Sequence, residues 1–379
     1  MKLLEMIAGK SFEEIKALFS APPYSLLVKD DGPYYLLKYN QIESDMSQEV
    51  VRECRGIILR KDNNKVVCHP FDRFFNYGEV HAAEIDWSSA RVQDKLDGSI
   101  IKVWYDDNEW HVSTNGVIDA KKAINPMDLS FYSMFIEGLQ NAIQEPDVSF
   151  EEFCMQLNPE YTYMFEMTHP ANRMVVRYEI PMIYHIGTRN NASGEEYKVY
   201  IGIPQPQEYK FNNLDEVIKI AESLKYDKEG YVIVDNAWHR IKVKSPAHLA
   251  AHNLKNNGMV TYKRILELIL KGSTEEFLSY FPEFTDYFNK AMLAYTTYLS
   301  AAQTSIEKIR HNSYASRKEF AADAIKTVCP DFCFKVYDLE YKWDDFPAYT
   351  ESAGSERLAK ILRLKDQAMT AIKADDENS

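Results

Sequence analysis

The most informative stretch of this chain is Lys95-Leu96-Asp97-Gly98-Ser99, which leads into the strand-like segment 100–105. A lysine is protonated at neutral pH and becomes a nucleophile only where burial, neighbouring cations or a metal lower its pKa. Gly98 would let the backbone approach a ligand closely. Taken alone, the string is also compatible with a surface turn, because Asp-Gly is a common hairpin dipeptide. Its place on a loop at a predicted sheet edge favours a catalytic role.

Two carboxylates lie farther along the chain, each next to a predicted strand. Glu166 interrupts the largely apolar run 161–167, and Glu229 precedes the run 230–234. An isolated buried acid is costly and usually has a partner, although Glu229 is also compatible with an ordinary loop acid. Together with Asp97, the two glutamates would suit a hydrated Mg²⁺, which prefers oxygen ligands and keeps several waters.

A row of cations ends the first two-thirds of the chain. Arg240, Lys242 and Lys244 alternate with aliphatic residues, so in a strand the three cations would share one face. Like charges in a row repel unless an anion covers them, and a triphosphate or a phosphodiester is the obvious anion. A solvated edge strand is the alternative. Arg55 and Arg73 are candidates for bidentate phosphate contacts, with salt-bridged surface residues as the alternative.

Composition and cysteine usage indicate a globular protein of a reducing compartment. The 379 residues are 45% hydrophobic, which suits one large or two medium domains. No apolar run reaches the length of a membrane span, and five scattered cysteines do not suggest a disulfide framework. The net charge of −13 is not that of an obvious nucleic-acid binder. Any grip on phosphates must therefore come from local basic clusters.

The pattern of elements divides the chain into two predicted domains. Short strands, mostly in hairpins with helices between them, predict an antiparallel α+β domain over residues 1–254, in which 174–178 is one of the strands. Helical periodicity predicts an all-helical domain over residues 255–379, in which only 332–341 has the pattern of a strand. The polar tail 374–379 is expected to fray.

At this point the motifs resemble the phage RNA ligase 1 family, the ATP-dependent tRNA-repair ligases of T-even-like bacteriophages. The matching segments occur in the family's order and at similar spacing over residues 35–250. They are Glu53-Cys54-Arg55-Gly56, Arg73-Phe74-Phe75-Asn76, Lys95–Ser99, Phe165-Glu166, Pro170–Val175, Glu229–Val232 and Lys242–Ser245. The lysines and glutamates are shared by all covalent nucleotidyltransferases, whereas the Glu-Cys-Arg-Gly, Phe-Phe-Asn and Asn-Arg segments favour the RNA ligase 1 branch.

The resemblance implies an ATP-grasp-like, antiparallel-sheet nucleotidyltransferase domain, followed by a helical domain that biases the enzyme toward tRNA. It implies that Lys95 forms a lysyl-AMP with ATP, that AMP passes to an RNA 5′-phosphate, and that an RNA 3′-hydroxyl then seals the break. Asp97, Glu166 and Glu229 would hold a hydrated Mg²⁺ or Mn²⁺. The implied nucleotide contacts are Tyr39, Arg55, Arg73, Phe75, Lys95, Glu166, Glu229, Lys242 and Lys244.

The implied partner is RNA with 5′-phosphate and 3′-hydroxyl ends, above all nicked tRNA. We expect a monomer without membrane association, located in the cytoplasm, which is the host cytoplasm if a phage encodes the chain. Two alternatives stay open. One is another covalent nucleotidyltransferase, such as a type-2 RNA ligase, a DNA ligase or a capping enzyme. The other is a non-catalytic module that binds nucleic-acid ends on a ligase scaffold.

Three positions depart from the family pattern, and one of them is Arg73, which precedes Phe-Phe-Asn where the family usually has lysine. Thr114-Asn115-Gly116 stands where the family has a lysine, so a phosphate-clamping cation is either missing near Asn115 or supplied by Lys121 or Lys122. His248 stands where the family has an aromatic residue, and its imidazole is able to hydrogen-bond a nucleotide. In the helical domain, the acidic pair Glu275-Glu276 is a weak candidate for an ion site, because a capped helix start with acids in its first turn is the favoured explanation.

Overall fold

The computed structural model describes residues 1–125, 127–255, 260–272, 274–352 and 354–364. The chain divides into two compact units, Met1–His252 and Asn253–Ser379. The tail 374–379 lies outside the described residues. Within the described part, no helix is both long and apolar enough to span a bilayer.

The strands all belong to the first unit, as far as the chain is described. In chain order they are β1 (Leu26–Asp31), β2 (Tyr34–Tyr39), β3 (Arg55–Arg60), β4 (Val66–Cys68), β5 (Phe75–Asn76), β6 (Arg91–Asp94), β7 (Ser99–Asp106), β8 (Glu109–Thr114), β9 (Tyr161–Thr168), β10 (Met182–Asn190), β11 (Glu196–Tyr197), β12 (Glu208–Tyr209), β13 (Gly230–Val234) and β14 (Arg240–Lys244).

The described α-helices occur in both units. They are α1 (Lys2–Ile7), α2 (Phe12–Ser20), α3 (Glu49–Glu53), α4 (Phe131–Ile143), α5 (Phe150–Cys154), α6 (Leu214–Ser223), α7 (Pro246–Lys255), α8 (Tyr262–Leu270), α9 (Thr274–Tyr280), α10 (Thr285–Arg310), α11 (Arg317–Ala324), α12 (Pro330–Tyr337), α13 (Phe346–Ser352) and α14 (Ser355–Ile361). Short 3₁₀ turns cover Pro170–Asn172, Pro282–Phe284 and Trp343–Asp345.

Three sheets build the first unit, with strand orders β1-β2-β3-β4, β11-β10-β9-β7-β8 and β12-β6-β13-β14-β5. Neighbouring strands in the described residues are antiparallel except β14 with β5, so the predicted α+β class with antiparallel sheets is confirmed. Local chemistry favours the hairpins. Asp107 and Asn108 connect β7 to β8 with φ of +54° and +61°, a conformation that Asp and Asn tolerate better than other side chains.

The strand that carries Glu166 is anchored by the core of its sheet. Phe165 is fully buried and packs against Phe135 of α4, with ring centroids 5.6 Å apart. Because successive side chains of a strand point to opposite faces, the next residue, Glu166, faces away from this core. Apolar burial on one face therefore sets the direction of a polar group on the other.

An acidic residue of the motif segments has a structural task. Glu53 is buried at the end of α3, and its two carboxylate oxygens accept the backbone N–H groups of Lys2 (2.8 Å) and Leu3 (2.7 Å). These are donors that the start of α1 leaves without an intrahelical partner. Glu53 thus fastens the N-terminal helix to the strand that begins at Arg55.

One predicted strand in the second unit is wrong. Most of the segment 332–341 is helical, in α12. Pro330 occupies the first helical turn, where its missing N–H has no cost. Phe332 and Cys333 are fully buried on one side of the helix, and the apolar spacing that resembled a strand is that of a short helix against a core.

Candidate active site

Lys95 lies directly after β6 and is held at both its backbone and its side chain. Its N–H donates to the carbonyl of Gly230 (2.8 Å), and its Nζ donates to Glu229 Oε2 (2.7 Å). Burial by itself would lower the pKa of Lys95, but the negative charges of Glu229, Glu166 and Asp97 outweigh it and raise the pKa. The resting side chain is therefore an ammonium ion with a carboxylate partner.

The Glu229 carboxylate binds two lysines, one through each oxygen. Its Oε1 lies 3.0 Å from Lys244 Nζ, and Lys95 contacts the other oxygen. Burial would raise the pKa of Glu229, yet these two cations lower it below its usual range. The residue after Glu229 must be glycine, because a Cβ on Gly230 (φ +132°) would lie 2.1 Å from the Val243 carbonyl oxygen.

Asp97 is clamped by backbone groups that sequence reasoning did not foresee. One carboxylate oxygen, Oδ2, accepts the N–H groups of Val175 and Val176, each at 2.7 Å. The backbone N–H of Asp97 donates to the hydroxyl of Tyr178 (3.1 Å). The predicted strand over 174–178 is therefore wrong, because its amides bind a carboxylate instead of a neighbouring strand.

Glu166 contacts the loop that carries Asp97. Its Oε1 accepts the N–H of Gly98 (3.1 Å), and a Cβ on this glycine would lie only 2.3 Å from the Met167 carbonyl oxygen. The predicted close approach at Gly98 is thus to the protein's own backbone. Burial raises the pKa of Glu166 to about 7, against the opposing effect of Lys95.

Three buried side chains are placed to hold a metal ion. Asp97, Glu229 and His248 each offer a ligand atom, and the three atoms lie within 4.8 Å of one another. His248 is fully buried, and its Nε2 lies 3.4 Å from Asp97 Oδ1, but among the described residues neither ring nitrogen makes a well-formed hydrogen bond. Two carboxylates and an imidazole fit a divalent cation.

The remaining candidate metal ligands lie outside this set. Glu166 is not among the three residues, and it instead accepts the Gly98 N–H. Glu275 is exposed on α9 in the second unit, and the side chain of Glu276 lies outside the described residues.

A second group of cations rests on aromatic rings. Phe74 lies between Arg55 and Lys242, whose charged groups are 5.1 Å and 4.7 Å from the ring centroid. No carboxylate lies within 4.0 Å of either cation in the part of the chain that the structure describes. Burial lowers the pKa of Lys242 to about 7, and the charges of Arg55 and Lys95 add to the effect.

Arg73 extends this arrangement to Tyr39 and Phe75. Its guanidinium carbon lies 4.9 Å from the Tyr39 ring centroid and 5.1 Å from that of Phe75. One guanidinium N–H donates to the Tyr39 hydroxyl (2.9 Å), whereas the buried Nε has no partner in the described structure. Ring faces attract cations without cancelling their charge, so these groups stay available to an anion.

These side chains form two groups with different electrostatic surroundings. The carboxylate end comprises Lys95, Asp97, Glu166, Glu229 and Lys244. The aromatic end comprises Tyr39, Arg55, Arg73, Phe74, Phe75 and Lys242. Lys242 and Lys244 alternate on β14 and connect the two ends.

Arg240 does not belong to either end. The sequence pattern suggested that it shares an anion with the two lysines. Instead, its guanidinium binds the Glu196 carboxylate at 2.6 and 2.8 Å and stacks on Phe71, 4.2 Å from the ring centroid. Its charge is neutralised within the protein, and the predicted row of three phosphate-binding cations is reduced to two.

The two lysines suggested as substitutes at position 115 have other contacts. Lys122 forms an ion pair with Asp31 (2.5 Å), and Lys121 lies over the Tyr132 ring (4.8 Å). Asn115 itself has a buried side-chain oxygen for which the described part of the chain offers no hydrogen-bond donor. The order of residues in the chain did not point to any other cation near residue 115.

Comparison with known proteins finds matches to ligases. The RNA ligase family model of the T4 RNA ligase 1 type matches residues 53–248, more than half of the chain. A candidate bifunctional polynucleotide kinase/RNA ligase of Autographa californica nuclear polyhedrosis virus is 32% identical over 65% of this chain and 37% of its own length. An RNA ligase of Rhodothermus phage RM378 is 26% identical over 71% of this chain and 75% of its own length. A solved archaeal ATP-dependent RNA ligase is 16% identical, with a TM-score of 0.43 over 64% of each chain.

Proposed function

The chain belongs to the RNA ligase family, as its motifs predicted, and from this premise we propose that it is an ATP-dependent RNA ligase. Lys95 is the nucleophile in this proposal. The observation that carries it is the pairing of Lys95 with Glu229 between two further carboxylates and a lysine pair. Such a site can hold an ammonium ion at rest and release an amine when an anionic nucleotide and its counter-ion redistribute the charge.

In the first step, the neutral Lys95 amine attacks the α-phosphorus of ATP. A P–N bond forms, the P–O bond to pyrophosphate breaks, and the amine loses a proton. Charge neutralisation and in-line positioning matter more than acid–base catalysis in phosphoryl transfer. Lys242 and Lys244, two residues apart on β14, are the cations that we propose neutralise the developing charge.

A divalent cation held by Asp97, Glu229 and His248, directly or through water, would neutralise the two carboxylates and polarise the α-phosphate. Hydrogen bonds with two backbone amides and the Tyr178 hydroxyl fix the position of Asp97 for this role. On the strength of the family resemblance, we propose that Glu166, which now accepts the Gly98 N–H, contacts the ribose of the nucleotide.

The later steps join RNA. The 5′-phosphate of one RNA end attacks the phosphorus of lysyl-AMP, so that a 5′–5′ anhydride forms, the P–N bond breaks, and the Lys95 nitrogen takes up a proton and leaves as an amine. The 3′-hydroxyl of the other end then attacks the activated 5′-phosphate, forming a phosphodiester and releasing AMP. We propose nicked tRNA as the substrate, on the strength of the family resemblance, with the helical unit recognising it.

The protein is proposed to act as a monomer in the cytoplasm, which is the host cytoplasm if a phage encodes it. All five cysteines are buried and free, as suits a reducing compartment. Gel filtration with light scattering measures the oligomeric state, and sealing of a tRNA cut in its anticodon loop, against an unstructured RNA of equal length, measures the substrate preference.

The deciding experiment is labelling of the protein with α-³²P-ATP and Mg²⁺ or Mn²⁺, after pre-bound AMP has been removed with pyrophosphate. Wild-type protein should carry acid-labile label, and Lys95→Ala should carry none. Lys219→Ala removes an exposed lysine of α6 and is the matched control, which should label like the wild type.

Absence of label on the wild type would reject the ligase proposal and favour the non-catalytic end-binding module. Label together with sealing of nicked DNA but not of RNA would favour a DNA ligase. Label on Lys95→Ala at the wild-type level would show that another residue is the nucleophile.

A further inference from the structure

Lys102 is a fully buried lysine on β7 that the proposed reaction does not use. Its Nζ donates to the backbone carbonyl of Gly56, and it has no carboxylate partner among the residues that the structure describes. A buried ammonium ion is costly without an opposite charge. Burial accordingly lowers the pKa of Lys102 to about 8, and the nearby charges of Lys38 and Arg55 contribute to this lowering.

Two of its neighbours are cations that face each other across a strand pair. Lys38 on β2 and Arg55 on β3 are directly opposite in the register, an arrangement that is unfavourable for like charges. Lys38 Nζ also lies 3.6 Å from the position that a Cβ of Gly116 would occupy. Lys29 donates to the Gly116 carbonyl (2.8 Å).

Gly56 connects Lys102 to this pair. It has φ of +87°, and a Cβ there would lie 2.7 Å from the Asn115 carbonyl oxygen and 3.1 Å from Lys102 Nζ. The backbone at Gly56 thus packs closely between the residue that follows β8 and the buried Nζ of Lys102. Lys102 thereby fixes the start of β3 and the position of Arg55.

Lys29, Lys38, Arg55 and Lys102 form what we call the basic cluster. Over the described ranges, none of the four has a carboxylate within 4.0 Å. The cluster adjoins Lys242, because Arg55 and Lys242 share the Phe74 ring. The buried, unpartnered side-chain oxygen of Asn115 lies beside it. Positive charge accumulates here, and although Glu166 offsets part of the charge of Arg55, an anionic ligand would balance the rest.

We propose that the basic cluster binds the pyrophosphate leaving group of ATP, and that Lys102 is the positioning residue that holds Arg55 and Gly56 for this task. The inference rests on the proposed ligase function. In-line attack by Lys95 places the leaving group on the far side of the α-phosphorus. The carboxylate end cannot accommodate its charge, whereas the basic cluster beyond Lys242 can.

The test compares steps that involve pyrophosphate with one that does not. Lys102→Met and Lys38→Met remove the charges with little change in length, and Lys219→Met on the exposed face of α6 is the control. Loss of a charge-assisted contact should raise the KM for ATP in adenylylation, and for pyrophosphate in the reverse reaction, by about 10- to 100-fold. Sealing of pre-adenylylated RNA should change far less.

Equal losses in pyrophosphate-dependent steps and in sealing of pre-adenylylated RNA would overturn the proposal, as would an unchanged KM for pyrophosphate. Thermal melting checks folding. If Lys102→Met does not fold, Lys38→Met, which alters a partly exposed side chain, decides the question.

Calorimetric titration of AMP-free protein with inorganic pyrophosphate tests the basic cluster independently of the proposed ligase function. Binding that both substitutions weaken supports the basic cluster even if the wild type is never adenylylated. If the wild type is adenylylated but neither substitution changes the affinity of the protein for pyrophosphate, the role of the basic cluster is rejected and the ligase function stands.

Discussion

The carboxylate end and the aromatic end of the site hold the same kind of side chain in opposite electrostatic states. Lys244 lies 3.0 Å from Glu229, whereas Lys242, two residues earlier on the same strand, lies over Phe74 without a carboxylate partner in the described structure. The pKa of Lys242 falls to about 7. A carboxylate neutralises a lysine, while a ring merely accommodates its charge. The difference separates groups whose charge is balanced within the protein from groups that we propose bind an anionic ligand.

The largest effect should follow from breaking the carboxylate end at Glu229. Glu229→Gln removes the negative charge shared by Lys95 and Lys244, and we expect adenylylation to fall by about 10²- to 10³-fold, as for other preorganised electrostatic contacts. Single-turnover labelling with α-³²P-ATP measures it. Glu222→Gln, on the exposed face of α6, is the control; a Glu229→Gln rate close to the wild type would contradict the assigned role.

Removing the two lysines of β14 separately should affect stability in different directions. Lys244→Met leaves Glu229 with one partner and should lower the free energy of unfolding by about 1–2 kcal/mol. Lys242→Met removes an unpaired, half-buried charge and should leave stability unchanged or raise it by up to about 1 kcal/mol. Both should impair adenylylation. Urea denaturation of the nucleotide-free proteins provides the comparison, and equal destabilisation by both would erase the distinction between the two ends.

The pH dependence of stability should sharpen the contrast. The pKa of Lys242 is about 7 in the folded protein and near 10.4 in an unfolded chain. Between these values the unfolded chain binds more protons, so this residue makes stability rise with pH. Lys95 has a raised pKa, so its contribution is complete below the unfolded value and is lost as pH rises through the folded one. Urea midpoints from pH 7 to 10 should rise less steeply in Lys242→Met than in wild type, and parallel curves would refute this.

The smallest expected effect on adenylylation concerns Glu53, a buried acid that binds backbone amides instead of lysines. Glu53→Gln cannot accept both N–H groups at the start of α1 as well as a carboxylate does, and should cost about 1–2 kcal/mol of stability. Adenylylation at saturating ATP should stay close to the wild type. Thermal denaturation beside Glu49→Gln, an exposed acid of α3, checks this. If Glu53→Gln lost as much activity as Glu229→Gln, Glu53 would have a role in adenylylation and not only in stability.

Particular elements show where prediction from the chain succeeded and failed. The hairpin of β7 and β8 was predictable, because strand alternation and the Asp-Asn turn are local signals. Residues 332–341 read as a strand but form mainly a helix, since a short apolar run has no period long enough to distinguish the two. Residues 174–178 also read as a strand, and their amides bind Asp97, a partner 78 or more residues away.

The identity of the chemical groups followed from residue order: a lysine with Asp97 and Gly98 behind it, two later glutamates and a lysine pair are recognisable without coordinates. Their charge states are a property of three-dimensional packing. Glu196 neutralises Arg240, Phe74 leaves Lys242 unneutralised, and Lys102 is buried against Gly56. Each contact joins segments far apart in the chain. Burial and long-range partners set the energy of a charge, and neither can be read from neighbouring letters.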